Sequence, residues 1–146
     1  MSTIKEFLTS DHGRCDGFFA DMEKKATESL ASAKESCEAF IHETEKHFQM
    51  EERVMFEEFE TKTGMREGPT AMMRHEHAQM RGLMSQMLEA IKAGNSDKFF
   101  GTTETFMILQ QQHNMKEEQM LYPMAQQHLN AESDRIVEMM NALVVE

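Results

Sequence analysis

The sequence predicts an all-α protein, and two observations support this: its composition and the spacing of its apolar residues. Glycine occurs seven times and proline twice in 146 residues, whereas Glu, Met, Ala, Lys and Gln, which favour helices, are abundant. Apolar residues recur at alternating steps of three and four along four long segments, as in the buried seam of a helical bundle. We therefore expect an up-down-up-down antiparallel four-helix bundle with a short C-terminal fifth helix, with residues 1–146 forming a single domain.

Segments A and B are the first two predicted helices. Segment A is expected over about residues 10–29, with Ser10 as N-cap and residues 4–8 as a lead-in. Segment B is expected over about residues 32–61, because Ser32 and Glu35 have the spacing of a capping box. The predicted buried stripe of segment A is Leu8, His12, Cys15, Phe19, Met22 and Ala26, and that of segment B is Cys37, Phe40, Thr44, His47, Glu51 and Val54.

Segments C and D follow a loop at residues 64–68. Segment C is expected over residues 69–94, from Pro69 to Gly94, and segment D from Ser96 or Asp97 to about residue 121, ahead of Pro123. The stripe of segment C is Met73, His77, Met80, Met84, Met87 and Ile91, and that of segment D is Phe99, Phe106, Leu109, His113, Glu117, Met120 and Met124. A fifth helix is expected over residues 131–145, with Ile136, Met139, Met140 and Leu143 on one side.

Charge and hydropathy exclude several classes of function. With 26 acidic and 15 basic residues the net charge is −11, so nucleic acids and anionic membrane surfaces should be repelled. The longest apolar runs, residues 106–109 and 143–145, are far shorter than the roughly 20 residues that span a bilayer. Residues 1–7 do not resemble a secretory signal. Cys15 and Cys37 are expected to be reduced thiols at different depths in the bundle, and the expected location is the cytoplasm.

Each of the four stripes contains one histidine, namely His12, His47, His77 and His113. Helices joined by short loops run antiparallel, so two residues lie at equal depth when the loop is midway between them in sequence. The midpoints of consecutive histidine pairs fall at residues 29–30, 62 and 95, next to predicted turns. The four imidazoles are therefore expected in one layer of the core, and Glu51 and Glu117 lie one turn away on the same faces.

This combination of side chains predicts a dinuclear metal site. Two buried carboxylates cost several kcal/mol each unless their charge is neutralised, and no lysine or arginine lies beside them on the stripes. Imidazole and carboxylate ligands suit iron, manganese or zinc, and carboxylates from different helices can bridge two metals. The predicted ligands are His12, His47, Glu51, His77, His113 and Glu117. A helical interaction module with purely structural histidines is the alternative, because any single histidine of this kind is more often a core residue.

Other polar residues near the predicted site have less support. The remaining histidines, which are expected at the surface, are His42, His75 and His128. His75 lies only two residues from His77 and could help to orient that candidate ligand. Glu52 and Glu118 follow the predicted carboxylate ligands and are candidates for relaying protons or iron. Cys15, one turn from His12, is either a redox partner or, more simply, an inert core thiol.

The motifs that carry these residues resemble those of the hemerythrin-like, or HHE cation-binding, family over nearly the whole chain. The shared motifs are Asp11-His12, His47-Phe-Gln-Met-Glu51-Glu52, Glu76-His77, and His113-Asn-Met-Lys-Glu117-Glu118 followed by Leu121-Tyr122-Pro123. Residues 47–56 and 113–122 also share one internal pattern, H-x-x-x-E-E-x followed by two apolar residues and an aromatic residue. The resemblance implies a non-haem di-iron four-helix bundle, with His12 and His47 on one iron, His77 and His113 on the other, and Glu51 and Glu117 bridging.

The sequence departs from the oxygen-carrying hemerythrins at two positions. Those proteins have H-x-x-x-H on the third helix and H-x-x-x-x-D on the fourth, whereas here Met73 occupies the earlier position and Glu117 follows His113 by four residues. The implied ligand set is balanced, with two histidines per metal, so both metals retain positions for water, O2, NO or peroxide. The pattern is more similar to HHE proteins implicated in sensing oxygen or iron and in repairing damaged iron centres.

Two functions are compatible with this pattern. The first is a di-iron protein that binds or senses O2 or NO. The second is a di-iron enzyme acting on O2, peroxide or NO, or a protein that repairs iron centres or donates iron. The sequence leaves open which applies, whether manganese or zinc replaces iron, which protein partner receives an output, and the oligomeric state.

Overall fold

The computed structural model describes residues 2–146, which fold into helices joined by short turns and contain no strand. Four long rods pack antiparallel, as predicted, and a short helix follows them. The helices are α1 (Ile4–Glu28), α2 (Lys34–Met50), α3 (Phe56–Thr63), α4 (Pro69–Ala93), α5 (Ser96–Lys116), α6 (Tyr122–Leu129) and α7 (Ser133–Asn141). Short 3-10 turns lie at Ala31–Ala33 and Asn130–Glu132. No helix among residues 2–146 has both the length and the hydropathy needed to cross a bilayer.

Two π-helical turns make the second and fourth rods continuous. The turn Glu51–Met55 joins α2 to α3, and the turn Glu117–Leu121 joins α5 to α6. A π turn closes its hydrogen bond over one residue more than an α turn, so the faces of the helix beyond it shift by one position. Pro123 is the second residue after the second π turn, where the regular hydrogen-bond ladder is already interrupted, and the helix continues past it.

The predicted stripes of segments A, B and C are confirmed, because every residue in them is buried. The stripe of segment D is wrong from the second π turn onward. Met120 is 62% exposed, whereas Leu121 and Tyr122 are buried in its place. The one-residue shift of the π turn accounts for this change of face. Leu109 and Met124 are only partly buried.

Three predicted helix starts are corrected. Helix α1 begins at Ile4 rather than at residue 10, because Thr3 and Glu6 form a complete capping box. Ser32 does not cap α2; its hydroxyl donates to the carbonyls of Lys25 and Ser29, and the 3-10 turn leads directly into α2. Asn95 caps α5 by accepting from the backbone N–H of Lys98 at 3.0 Å, so neither Ser96 nor Asp97 is the cap.

The ends of the last two predicted helices also differ from the expectation. The fourth rod continues to Leu129, and α7 covers Ser133–Asn141 rather than residues 131–145. The predicted stripe of this helix includes Met139, but Met139 is 43% exposed. Val137 is buried instead. Residues beyond α7 are held by Gln49, whose side chain bonds the backbone of Glu146 at both N–H and carbonyl.

Two apolar cores lie on either side of a polar layer. One core contains Ile4, Phe56, Tyr122 and Met140, together with much of α3, α6 and α7. The other is built around three aromatic rings, Phe19, Phe40 and Phe106, whose centroids lie 5.3 to 5.8 Å apart. Burial of these large side chains supplies the main driving force for folding. The polar layer between the cores contains the predicted site.

Candidate metal centre

The structure brings all six predicted site residues together. They form two groups of four that share Glu51 and Glu117. Within each group the candidate ligand atoms lie within 4.8 Å of one another. The groups are His12, His47, Glu51 and Glu117, and Glu51, His77, His113 and Glu117. Each rod contributes one histidine, as expected from the midpoints of the turns. The ring centroids of His12 and His47 lie 4.7 Å apart, and those of His77 and His113 lie 4.9 Å apart.

Every histidine in the layer is oriented by a carboxylate at its outer nitrogen. The four contacts of Nδ1 are His12 with Glu118 at 2.6 Å, His47 with Asp11 at 2.8 Å, His77 with Glu52 at 2.7 Å, and His113 with Glu76 at 2.7 Å. In each contact the imidazole N–H donates and the carboxylate accepts. A carboxylate partner of this kind fixes the tautomer and leaves the lone pair of Nε2 facing the opposite way, as in metal-binding histidines.

The inner nitrogens face the two buried glutamates. His77 Nε2 lies 3.0 Å from Glu51 Oε1, and His113 Nε2 lies 3.3 Å from Glu117 Oε1. Four inner atoms are buried without a hydrogen-bond partner among residues 2–146: Glu51 Oε1, His77 Nε2, His113 Nε2 and Glu117 Oε2. Buried polar atoms are normally satisfied. Because lone-pair donors surround the middle of the layer, cations would satisfy them together, and the residues present therefore fit a metal centre.

Without a cation, protons neutralise part of this charge. Burial opposes protonation of His113, but the charges of Glu117 and Glu51 outweigh it and raise the pKa of His113 to about 9. Burial likewise opposes protonation of His47, and Glu51 nevertheless raises the pKa of His47 well above its ordinary value. The negative field that favours these protons is the same field that would attract metal ions.

Tyr122 is a site residue to which the sequence reasoning gave no role. Its buried hydroxyl donates to Glu51 Oε2 at 2.5 Å and lies 3.1 Å from both Glu117 Oε1 and His12 Nε2. Burial and the two glutamates raise the pKa of Tyr122 well above its ordinary value. The internal sequence pattern was the available signal, since it pairs Tyr122 with Phe56, whose ring stacks on His77 at 5.8 Å.

The outer carboxylates differ in their charge partners. Asp11 is paired with Arg14, whose Nε lies 2.7 Å away, and Glu52 with Arg81, whose Nη1 lies 2.9 Å away. Glu76 forms an ion pair with Lys116. Glu118 has no lysine or arginine partner among residues 2–146, and its side chain is 39% exposed. One corner of the layer is therefore open and negatively charged.

The remaining candidates lie outside the polar layer. His42, His75 and His128 are exposed, as predicted. Cys15 and Cys37 are both free, in agreement with the prediction of no disulfide. The thiol of Cys15 contacts the backbone carbonyl of Glu43 at 3.7 Å, and burial raises the pKa of Cys15 to about 11. A thiol that stays protonated supports the structural role rather than the redox role.

Comparison with known proteins agrees with this geometry. The profile of the family described as hemerythrin HHE cation binding domain matches residues 3–125, a range that contains all six site residues and every Nδ1 partner. A search of curated proteins and a search of solved structures gave no match. Since the family match covers well over half of the chain, the chain belongs to the hemerythrin HHE cation-binding family.

Proposed function

We propose that the chain holds two iron ions between the six inner side chains and uses them to bind or sense O2 or NO. The observation that carries the proposal is the layer itself, in which four oriented imidazoles converge on two buried glutamates with unsatisfied oxygen atoms. The arrangement gives two histidines to each metal position. His12 and His47 would hold one ion, His77 and His113 the other, and Glu51 and Glu117 would bridge them.

Among the metals that suit these side chains, iron is the one best able to bind a diatomic molecule. Imidazole and carboxylate also suit manganese and zinc, and zinc has no redox chemistry. Two ferrous ions bound here would supply open coordination positions and electrons for binding a diatomic molecule. The two apolar cores on either side of the layer would keep bulk water away from such a ligand.

Tyr122 supports the proposal because it adds a hydrogen-bond donor to the layer. Its hydroxyl lies between Glu51 and Glu117 and keeps its proton at neutral pH, since burial and those glutamates raise its pKa. Its single proton is donated to Glu51 in the metal-free layer, and if bound cations neutralised Glu51, that proton could be donated to a polar small molecule held in the centre. We also propose a cytoplasmic location, which the two free cysteines support.

A second candidate function is an enzyme acting on O2, peroxide or NO, or a protein that repairs iron centres or donates iron. The observation in its favour is the link from the layer to the surface. Glu118 bonds His12 at Nδ1 and is 39% exposed, so a proton or an ion has a polar route outward.

The two functions are separated by loading the protein anaerobically with ferrous iron and titrating it with O2 or NO. Binding or sensing predicts two ions per chain and a discrete absorption change that saturates at a fixed ratio of gas to protein. Continuous consumption of O2, NO or added peroxide over many turnovers would support the enzyme instead. A chain that binds no transition metal would contradict both.

A further inference from the structure

A groove of about 830 Å³ lies between α1 and α5 and reaches the open corner of the polar layer. Its lining includes His12 and Glu118, which bond each other, and it extends along α1 from Thr9 to Glu23. At a rise of about 1.5 Å per residue, this stretch of α1 is about 20 Å long. The groove therefore connects a candidate metal ligand to the protein surface.

The groove is acidic and has no compensating positive charge. Asp16, Glu23 and Glu118 line it, and no lysine or arginine does. Asp16 follows His12 by one turn, and Glu23 lies about 10 Å further along α1. Neither Asp16 nor Glu23 forms an ion pair with any of residues 2–146, and burial raises the pKa of both carboxyl groups. Carboxylates at such intervals concentrate cations inside a groove.

The other three corners of the layer are closed to cations. Arg14, Arg81 and Lys116 cover the carboxylates that orient His47, His77 and His113. On the His77 side, the ring of Phe48 also stacks on the imidazole at 4.0 Å. A metal ion approaching any of these corners meets a fixed positive charge first, whereas an ion approaching Glu118 does not.

Gln110 provides an independent observation that the groove is suited to a ligand. Its side chain is only 7% exposed, yet its amide makes no hydrogen bond to any of residues 2–146 and lines the groove. A side chain that is more than nine-tenths buried usually has a protein partner for its amide. The amide oxygen is uncharged and is the kind of atom that coordinates a cation or accepts a hydrogen bond from the water around it.

On the basis of the proposed metal centre, we propose that this groove is the passage by which divalent metal ions reach and leave the polar layer. Glu23 and Asp16 attract the ion, Gln110 offers it an uncommitted oxygen, and Glu118 is the last carboxylate before His12 and Glu117. The neutral diatomic ligand gains nothing from these charges, so the passage is for cations.

The charge of the passage is tested by the double variant D16N/E23Q with ferrous iron as the probe. Metal-free protein is mixed anaerobically with Fe(II), and the iron left free is measured with a coloured chelator at successive times. Uptake should slow by about threefold to tenfold, with two ions still bound at the end. The matched control, E89Q/E104Q, makes the same change in net charge at exposed positions outside the groove and should leave the rate unchanged.

The shape of the passage is tested by G13L, with G17L as its control. Both glycines are exposed on α1 with open space where a Cβ would lie, but only Gly13 lines the groove. Leucine at Gly13 should fill the groove beside His12 and slow both uptake of Fe(II) and its release to excess chelator. Leucine at Gly17 gives the same gain in helix propensity and should change neither rate.

Three results would overturn the proposal, and they are distinguishable. A wild-type chain that binds no iron would remove the metal centre itself. A chain that binds two ions, but whose groove variants take up Fe(II) as fast as their controls, would remove only the passage. If G13L slowed NO binding to the loaded protein while Fe(II) uptake stayed unchanged, the groove would serve the neutral ligand and not the cation.

Discussion

His47 donates a 2.8 Å hydrogen bond from Nδ1 to Asp11, although Asp11 directly precedes a different candidate ligand, His12, on the neighbouring rod. The same crossing occurs in the other half of the bundle, where Glu76 precedes His77 and accepts from His113. Each of these acids therefore ties two rods together and orients an imidazole across the gap. The metal centre depends on this cross-linking as well as on the inner side chains.

Replacing Asp11 by asparagine should weaken metal binding. Asn accepts poorly from the imidazole and no longer fixes its tautomer, so we expect metal affinity to fall about 10- to 100-fold. Competition with a chromophoric chelator measures the change. Glu43→Gln is the matched control, because Glu43 also pairs with Arg14 but contacts no candidate ligand in the layer. Equal affinities for the two variants would show that Asp11 acts only through Arg14.

Replacing Tyr122 by phenylalanine should destabilise the metal-free protein more than the loaded protein. In the metal-free state the hydroxyl is a strong donor to the buried charge of Glu51, and its loss should cost about 1–3 kcal/mol of unfolding free energy. A bound cation would neutralise Glu51 and reduce that cost. Denaturant unfolding of both forms measures the difference. An equal loss in the two forms would mean that the hydroxyl serves only packing.

The metal-free protein should lose stability as the pH rises above neutrality. The folded pKa of His113 is about 9, above its ordinary value of 6.5. The stabilisation from this proton is complete below about pH 6.5 and disappears as the pH passes through about 9. Urea unfolding between pH 6 and pH 10 measures the loss, which His113→Gln should reduce but not abolish, because the pKa values of His47 and His77 are raised as well. A metal-free stability that is flat or rises over this range would contradict the charge balance described for the layer.

The acid side of the profile should be governed in part by Asp11. Burial disfavours its ionised form, but His47 and Arg14 outweigh burial and lower the pKa of Asp11 to about 2 from an ordinary 3.8. Its contribution to stability is present above about pH 4 and disappears as the pH falls through 2. Comparing wild type with Asp11→Asn in acid unfolding measures it. The two curves should converge near pH 2, and curves that stay parallel would contradict this assignment.

The depth of the four histidines could be predicted from sequence, whereas the orientation of their neighbours could not. His12 and His113 could be assigned to one layer because, in antiparallel rods joined by short turns, the number of residues from each turn gives the depth of a side chain in the bundle. Met120 was predicted to be buried, but Tyr122 is buried and Met120 is exposed. The π turn that causes this difference depends on backbone hydrogen bonds that residue spacing does not reveal. The helix start at Thr3 was visible in its capping-box spacing with Glu6 and was missed.

The contacts between rods required coordinates. Glu118 is adjacent to Glu117 in sequence, but its bond to His12 and its lack of a basic partner depend on where long side chains lie across a helix interface. Arg81 shows the same limitation, because it reaches from α4 to Glu45 and Glu52 on the second rod. Sequence spacing defines faces and depths, and side-chain reach decides which charges meet.

The number of iron ions bound by wild type, His77→Ala and His75→Ala tests the central claim most directly. The two variants differ by two positions on one helix, but His77 is fully buried in the layer and His75 is exposed. Elemental analysis of the folded, iron-loaded proteins should give two ions for wild type and His75→Ala, and about one for His77→Ala. Equal iron content in all three proteins, or none in the wild type, would contradict a dinuclear centre built on these side chains.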